Sequence, residues 1–412
     1  MKKNNNQKDK NRRSFKKSEV VILMIITFLI SLVLGFSIGS ITRLSGKGFS
    51  VTNTYTKDKY VNNFIKNYNY IIRNYYKDVD KKKLVDDAIA GMMKSLDDPY
   101  SVYMDEDESS SFNISLDGEY KGLGVQIAKD EEKKAMLILY VFDNSPASKA
   151  GLKVGDYITK INNKSLSDKS ATEFSNLVLN SKETEFKLTI LRDEEERIIK
   201  VSKNNVIIDS VVSEVYERND KKIGYLYISI FANNTPIQFD KHLKDLEDKK
   251  IDSLVIDVRS NTGGHLTAVD AILKKLLTKN QITYQLKAGK RHSKYHGEAK
   301  KNKDYEIVLL GDGDSASASE ILISSLMENY NSKFFGVKTY GKGTVQELVT
   351  LTNGKQYKIT TKKWLTSKGN WINDTKGIKP TDEVKLDEKY AETHDKADDN
   401  QLQAALNYLE NR

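Results

Sequence analysis

Between residues 20 and 42 the apolar and polar positions show no period. VVILMIITFLISLVLGFSIGSIT carries no charge over its twenty-three residues. As a helix it would reach about 34 Å, against a hydrocarbon core of about 30 Å. A helix in a soluble domain keeps a polar face, so this stretch predicts a transmembrane anchor. The preceding segment, 1–19, carries eight Lys or Arg. That basic flank predicts a cytoplasmic start and a single-pass signal-anchor at the cell membrane, with everything later extracytoplasmic. A cleaved signal peptide is the alternative, but no strong A-x-A site accompanies the stretch.

The period then changes. Residues 43–55 are polar and read as a linker. YVNNFIKNYNYIIRNYY and DVDKKKLVDDAIAGMMKSL repeat apolar groups at near-helical spacing, which places a helical region over 56–112. DDPYSVYM forms a turn, because Pro99 restricts Asp98 and stops the helix. Residues 115–205 alternate as strands: KGLGVQIAKD, KAMLILYVF, and FKLTILRDEEERIIKVS around a charged turn, with ATEFSNLVLNS as a helix. These patterns predict a small β domain.

From 222 to 385 strand and helix periods alternate. KIGYLYISI, IDSLVIDVRS, YEIVLL and FFGVKT read as strands, and PIQFDKHLKDLED, LTAVDAILKKLLT and SASEILISSLMENY as helices. That alternation predicts a mixed or parallel sheet with helices on its faces. Sites in such sheets gather where strands end. Three small-residue segments fall at strand ends, at 260–264, 311–318 and 340–343. GKQYKITTKKWL reads as two further antiparallel strands, and DNQLQAALNYLE as a short amphipathic helix.

Composition changes this picture in two places. The 412 residues contain no cysteine, which removes disulfides, thiolate chemistry and Cys-ligated zinc. The net charge of +9 is dispersed, as on a solvated lysine-rich surface. Nucleic-acid binding would need basic residues clustered with stacking aromatics. Only RNYY and KAGKRHSKYH hint at that, and they read as a helix surface and an exposed loop.

GDGDSASASE, at 311–320, offers three serines at a strand-to-helix junction. The G-x-S-x-G elbow of an α/β-hydrolase is absent. His242, His265, His292, His296 and His394 lie in no segment built as a base. His292 and His296 read as surface residues rather than metal ligands, and no metal site or cofactor is expected. His265 follows a double glycine and can line a site. A lysine serves as a base when burial holds it neutral. Lys342, in YGKGTVQ, is the candidate, with a surface lysine in a hairpin turn as the alternative.

The ordered set LDDPYSVYM (96–104), KGLGV (121–125), SPASKAGLKVGDYITKI (145–161), GYLYISIF (224–231), DVRSNTGG (257–264), SASASE (315–320), YGKGTVQ (340–346) and GIKPTDEV (377–384) closely resembles the C-terminal processing, or tail-specific, serine peptidases. The resemblance spans about 56–410. It implies a crotonase/Clp-protease-like mixed αβ core over 206–390, an inserted β-rich PDZ domain over 115–205, and a C-terminal helical tail over 391–412. It implies Ser317 as nucleophile, Lys342 as general base and Gln346 as the residue orienting the lysine. For the oxyanion it implies the N–H groups of Ala318 and of Gly263 or Gly264, with Gly263 favoured.

Gly122, Leu123, Gly124 and Val125 would form the loop that binds a substrate's terminal carboxylate. Arg192 would couple the PDZ domain to the catalytic site, although the adjacent loop SKETEF lacks the usual glycine-rich turn. Thr262 replaces a usual proline, and His265 a usual aliphatic residue. The implied activity is endoproteolysis of extracytoplasmic proteins selected by free C-termini, through an acyl-enzyme. A homodimer through the N-terminal helices is compatible with the resemblance, and the sequence does not fix it. A non-catalytic PDZ scaffold is the principal rival, but it would lack the Ser317–Lys342 pair.

Overall fold

The alternating segment folds around a six-stranded sheet. Its order is Val211–Arg218, Lys221–Ile228, Ser253–Asp257, Glu306–Gly311, Lys333–Gly336 and Asp382–Glu383. The first pair is antiparallel and the other neighbours are parallel. Helices Thr235–Asp248, Leu266–Leu276 and Ala318–Tyr330 bury Phe239, Ile272 and Leu322 in one large core with Leu226, Leu254 and Leu309. Helix Asn400–Glu410 places Leu402, Leu406 and Leu409 in a second core with Val255, Val308 and Phe335. The C-terminal helix thus packs its apolar face onto the sheet. Both faces of the sheet are covered, so its central strands read as continuous apolar runs.

This architecture comes from a computed structural model that describes residues 58–412, apart from 352, 353 and 394. The chain divides into two units, 1–81 and 82–412. In the first, helix Lys59–Asn74 starts where the Asp58 carboxylate accepts the Tyr60 N–H at 2.7 Å. In the second, a helical run over 82–94 leads through the Pro99 turn into strand Val102–Met104 and helix Glu106–Asp117.

The membrane-spanning helix, and with it the signal-anchor, the membrane partner and the single-pass location, needs correction. Among the described residues no helix is long and apolar enough to cross a membrane. The longest of these, Lys59–Asn74, has sixteen residues and carries Lys59, Lys66 and Arg73. That falls short of the roughly twenty apolar residues a span requires. The stretch 20–42 lies outside the described residues.

The β domain is a sheet of Val125–Asp130, Ala135–Val141, Tyr157–Ile161, Glu185–Arg192 and Glu195–Ser202, with Val125–Asp130 at one edge. Met136, Ile138, Ile158, Leu188 and Ile190 fill its core with Phe174. Phe174 comes from helix Ala171–Leu179, which Ser170 and Glu173 cap reciprocally.

A third sheet carries Val102–Met104, Gln356–Leu365, Ile282–Ala288 and Arg291–His296, with Thr344–Thr350 also paired to Gln356–Leu365. Two readings differ here. GKQYKITTKKWL contributes one strand instead of two. KAGKRHSKYH forms a hairpin instead of a loop, and its strand ladder outweighs the charge of its side chains.

Candidate active site

Three parallel strands end side by side at Asp257, Gly311 and Gly336, and the three small-residue segments begin there. Arg259 anchors the first segment. Its guanidinium pairs with Asp257 (2.6 Å) and with Asp399 (2.7 Å), at the start of helix Asn400–Glu410. Asp312 joins the first segment to the second by accepting the N–H groups of Ser260 and Ser315, at 2.9 and 3.0 Å.

The outer serines of S-A-S-A-S are structural. Ser315 Oγ donates to the Val258 carbonyl (2.8 Å), and Ser319 Oγ to the Asn261 carbonyl (2.7 Å). Both are fully buried. Ser317 is the one of the three that lines a cavity of about 560 Å³. It sits at the N-terminus of helix Ala318–Tyr330 with φ 55° and ψ −110°. A non-glycine residue in such a conformation costs on the order of 1–3 kcal/mol and persists only where its surroundings fix it. The N–H of Ser317 donates to Glu320 Oε2 at 2.8 Å.

Lys342, Gln346, Gly263, Gly264 and Ala318 line the same cavity. Gly263 has φ 107°, and a Cβ there would stand 2.9 Å from Ser317 Cβ. Its N–H donates to Asn261 Oδ1 at 2.9 Å. Gly264 pairs with Phe231 as an isolated parallel bridge, through Phe231 N to Gly263 O and His265 N to Phe231 O. That pairing turns the Gly264 N–H away from the neighbouring chain. Among the described residues, the N–H groups of Gly264 and Ala318 have no protein acceptor.

The backbone around Lys342 is held on every side. Glu320 accepts the Gly341 and Lys342 N–H groups (2.7 and 2.9 Å) and the Thr339 hydroxyl (2.6 Å). The indole N–H of Trp364 donates to the Lys342 carbonyl, and that of Trp371 to the Gly343 carbonyl, both at 2.8 Å. The amine is not so held. Lys342 Nζ lies 4.8 Å from the centroid of the Tyr100 ring. Among the described residues it makes no ion pair, and no hydrogen bond joins it to Ser317 or Gln346. Burial pulls its ammonium below the usual lysine range, and the charge of Lys358 adds to that, against Asp98 and Glu320. Gln346 Nε2 donates to Thr344 Oγ1 and Thr360 Oγ1, each at 3.0 Å.

His265 lines the cavity, and its Nε2 is buried with no hydrogen-bond partner among the described residues. Burial lowers its pKa. Arg192 lies inside the β domain, where it forks onto Asp156 (2.6 and 2.7 Å) and reaches the Gly151 carbonyl (2.7 Å). In the KGLGV loop, Gly122 closes a two-stranded ladder with Asn204, and Gly124 has φ 86°. The carbonyls of Leu123 and Gly124 accept from Ala147 and Phe142. Among the described residues the N–H groups of Leu123 and Gly124 have no acceptor. Val125 opens the edge strand beside them.

Sequence reasoning missed Glu320, Asp98, Tyr100, Lys358 and Phe112. Glu320 had a local signal, since an S-x-x-E pattern at a helix start is a capping box. The others reach the site from a turn, a helix and a strand distant in sequence, with nothing local to mark them.

Comparison with known proteins fits this geometry. The family model described as peptidase family S41 matches residues 222–384, a PDZ domain model matches 137–192, and the activating protease CtpB N-terminal domain matches 43–108. The chain is 36% identical over 332 residues to the carboxy-terminal processing protease CtpB of Bacillus subtilis (strain 168), covering 80% of this chain and 68% of that protein. To CtpA of the same organism it is 33% identical over 368 residues, covering 89% and 76%. To a probable CtpA-like serine protease of Staphylococcus haemolyticus (strain JCSC1435) it is 31% identical over 388 residues, covering 92% and 75%.

Proposed function

Since the chain belongs to the S41 carboxy-terminal processing peptidases, serine endopeptidases with a PDZ domain that act on the C-terminal regions of proteins, we propose how its residues divide the reaction. Ser317 is the nucleophile and Lys342 the general base. Lys342 Nζ takes the proton of Ser317 Oγ as the oxygen attacks the scissile carbonyl carbon. Gly264 and Ala318 donate their N–H groups to the resulting oxyanion. Gly263 holds the turn rather than donating, because its own N–H is engaged by Asn261. The lysine ammonium then protonates the leaving amine. Water, deprotonated by the same lysine, hydrolyses the acyl-enzyme. Gln346, fixed by two threonine hydroxyls, offers its amide oxygen to steady the amine as it swings from Tyr100 towards Ser317.

The observation that carries this reading is the sorting of the three serines. Two hydroxyls are spent on backbone carbonyls, and Ser317 alone opens on the cavity that Lys342 lines. Substrate selection falls to the β domain. The N–H groups of Leu123 and Gly124 receive a terminal carboxylate, and the substrate tail adds to the edge strand Val125–Asp130. Arg192 serves that domain's own stability.

The test is cleavage of a peptide with a free apolar C-terminus. Ser317→Ala and Lys342→Ala should each lower kcat/KM by at least about a thousandfold, as loss of a nucleophile or its base does elsewhere. Full activity in either variant would overturn the assignment. Amidating the peptide terminus should raise KM while leaving Ser317 reactive.

A further inference from the structure

The catalytic cavity contains a second lysine. Lys358, on strand Gln356–Leu365, lines it together with Lys342. The pairing of Thr344–Thr350 with this strand sets Gln346 opposite Thr360 and Leu348 opposite Lys358. Two-residue alternation therefore places Lys358, Thr360, Leu348 and Gln346 on one face of the sheet. That face lines the cavity, and Lys358 Nζ lies 5.0 Å from the centroid of the Phe112 ring. Among the described residues, neither Lys342 nor Lys358 forms an ion pair. A surface lysine would reach for water or a carboxylate; these two amines lie over aromatic rings instead.

We infer that Lys358 is a positioning residue for the base: its ammonium, sharing one cavity with Lys342, keeps the Lys342 amine unprotonated and so ready to take the proton of Ser317. Two like charges sharing one cavity disfavour each other, and the more deeply buried group gives up its proton first. Lys342 is that group: its amine is the more deeply buried of the two, over the Tyr100 ring. The charged and titratable groups facing it set the balance. Asp98, from the Pro99 turn, and Glu320, from the nucleophile helix, favour the ammonium. Lys358, from the adjoining strand, opposes it, and burial acts in the same direction. The Tyr100 phenol is kept neutral by its own burial. His265 lines the cavity as an imidazole that burial also holds neutral. Asp98 draws on Lys358 as well, and burial pulls Lys358 down without a second lysine opposing it.

This inference rests on the Ser317–Lys342 assignment, and the test separates the two. The readouts are the pH dependence of kcat/KM for the peptide and the pH dependence of Ser317 phosphonylation by a fluorophosphonate, in the full chain. Lys358→Met should move the acid limb of both profiles to higher pH. Below the limb, activity should fall by about three- to tenfold, as expected for losing one like charge at an intermediate dielectric. At alkaline pH the wild-type rate should return. Lys358→Arg retains the charge and should keep the limb near its wild-type position. If Lys358→Met folds poorly, Lys358→Gln gives the same reading. An acid limb unmoved in the charge-removing variants overturns the inference. So does a rise in KM alone, which would make Lys358 a substrate contact. If Lys342→Ala remains fully active, the dyad itself fails; if it is inactive and the limb does not move, only the role of Lys358 fails.

Discussion

The segment around Ser317 and the segment around Lys342 meet in one cavity but are held differently. At Ser317, the proposed nucleophile, the residue itself is fixed. Its φ of 55° is imposed by the Asn261 turn, the close approach of Gly263 and the bond to Glu320. At Lys342 only the backbone is fixed, through Glu320 and two indole N–H groups, while among the described residues the amine makes no hydrogen bond. The difference suits the roles proposed for the two groups. A nucleophile acts from one position, so rigidity lowers the entropic cost of attack. A base must meet Ser317 and then the leaving amine, so it needs a fixed root, a mobile tip and surroundings that set its proton affinity.

The comparison can be broken first on its rigid side. Gly263→Ala adds a Cβ at φ 107°, 2.9 Å from both Ser317 Cβ and the Ala316 carbonyl. It should lower kcat by at least about a hundredfold with helix content unchanged by circular dichroism, because small misplacements at a reacting centre are costly. A near wild-type kcat would mean that Ser317 is not held through this contact.

Glu320→Ala strikes both sides together. It leaves three backbone N–H groups and the Thr339 hydroxyl without their buried acceptor, each costing about 1–3 kcal/mol. Stability in urea and kcat should fall together. Loss of stability without loss of kcat would separate folding from positioning.

Arg192→Ala tests whether the β domain speaks to the site through this residue. It removes the partner of the buried Asp156 and should destabilise by about 3–5 kcal/mol. At temperatures where the domain stays folded, kcat should match wild type. A selective fall in kcat would restore a coupling role.

The smallest effect sharpens the mobile side. Folding lowers the proton affinity of Lys342, so the unfolded chain binds more protons between the folded pKa and the ordinary lysine value. Stability therefore rises with pH through that window. Lys342→Met removes this dependence. Its Tm should exceed wild type at neutral pH and vary less with pH, while cleavage is lost. An unchanged Tm–pH profile would indicate that Lys342 is already hydrated and charged in the folded protein.

The parallel core was legible because both of its faces are covered, which leaves its strands as apolar runs ending in small residues. The GKG and NTGG segments marked the rim of the site for the same reason. Lys358 was not legible, since a lysine in QYKITTKK looks like any solvated strand residue until its neighbours are known. Glu320 was half legible: the capping pattern is local, but its bonds to Gly341 and Lys342 are not. The family resemblance favoured Gly263 over Gly264 as the oxyanion donor, and nothing in the sequence showed that the Gly263 N–H is already spent on Asn261.

The sequence by itself determined the order of elements, the strand ends where the chemistry gathers, and the candidate serines and lysine, since periodicity and backbone freedom are local properties. Only the tertiary structure decided which serine faces the cavity, which of the two glycine N–H groups is already bonded, and which lysine is joined there by a second. The serines and the lysines are sorted by contacts between segments about fifteen to sixty residues apart, and the Gly263–Asn261 bond, though local, needs a side-chain placement that no sequence pattern encodes.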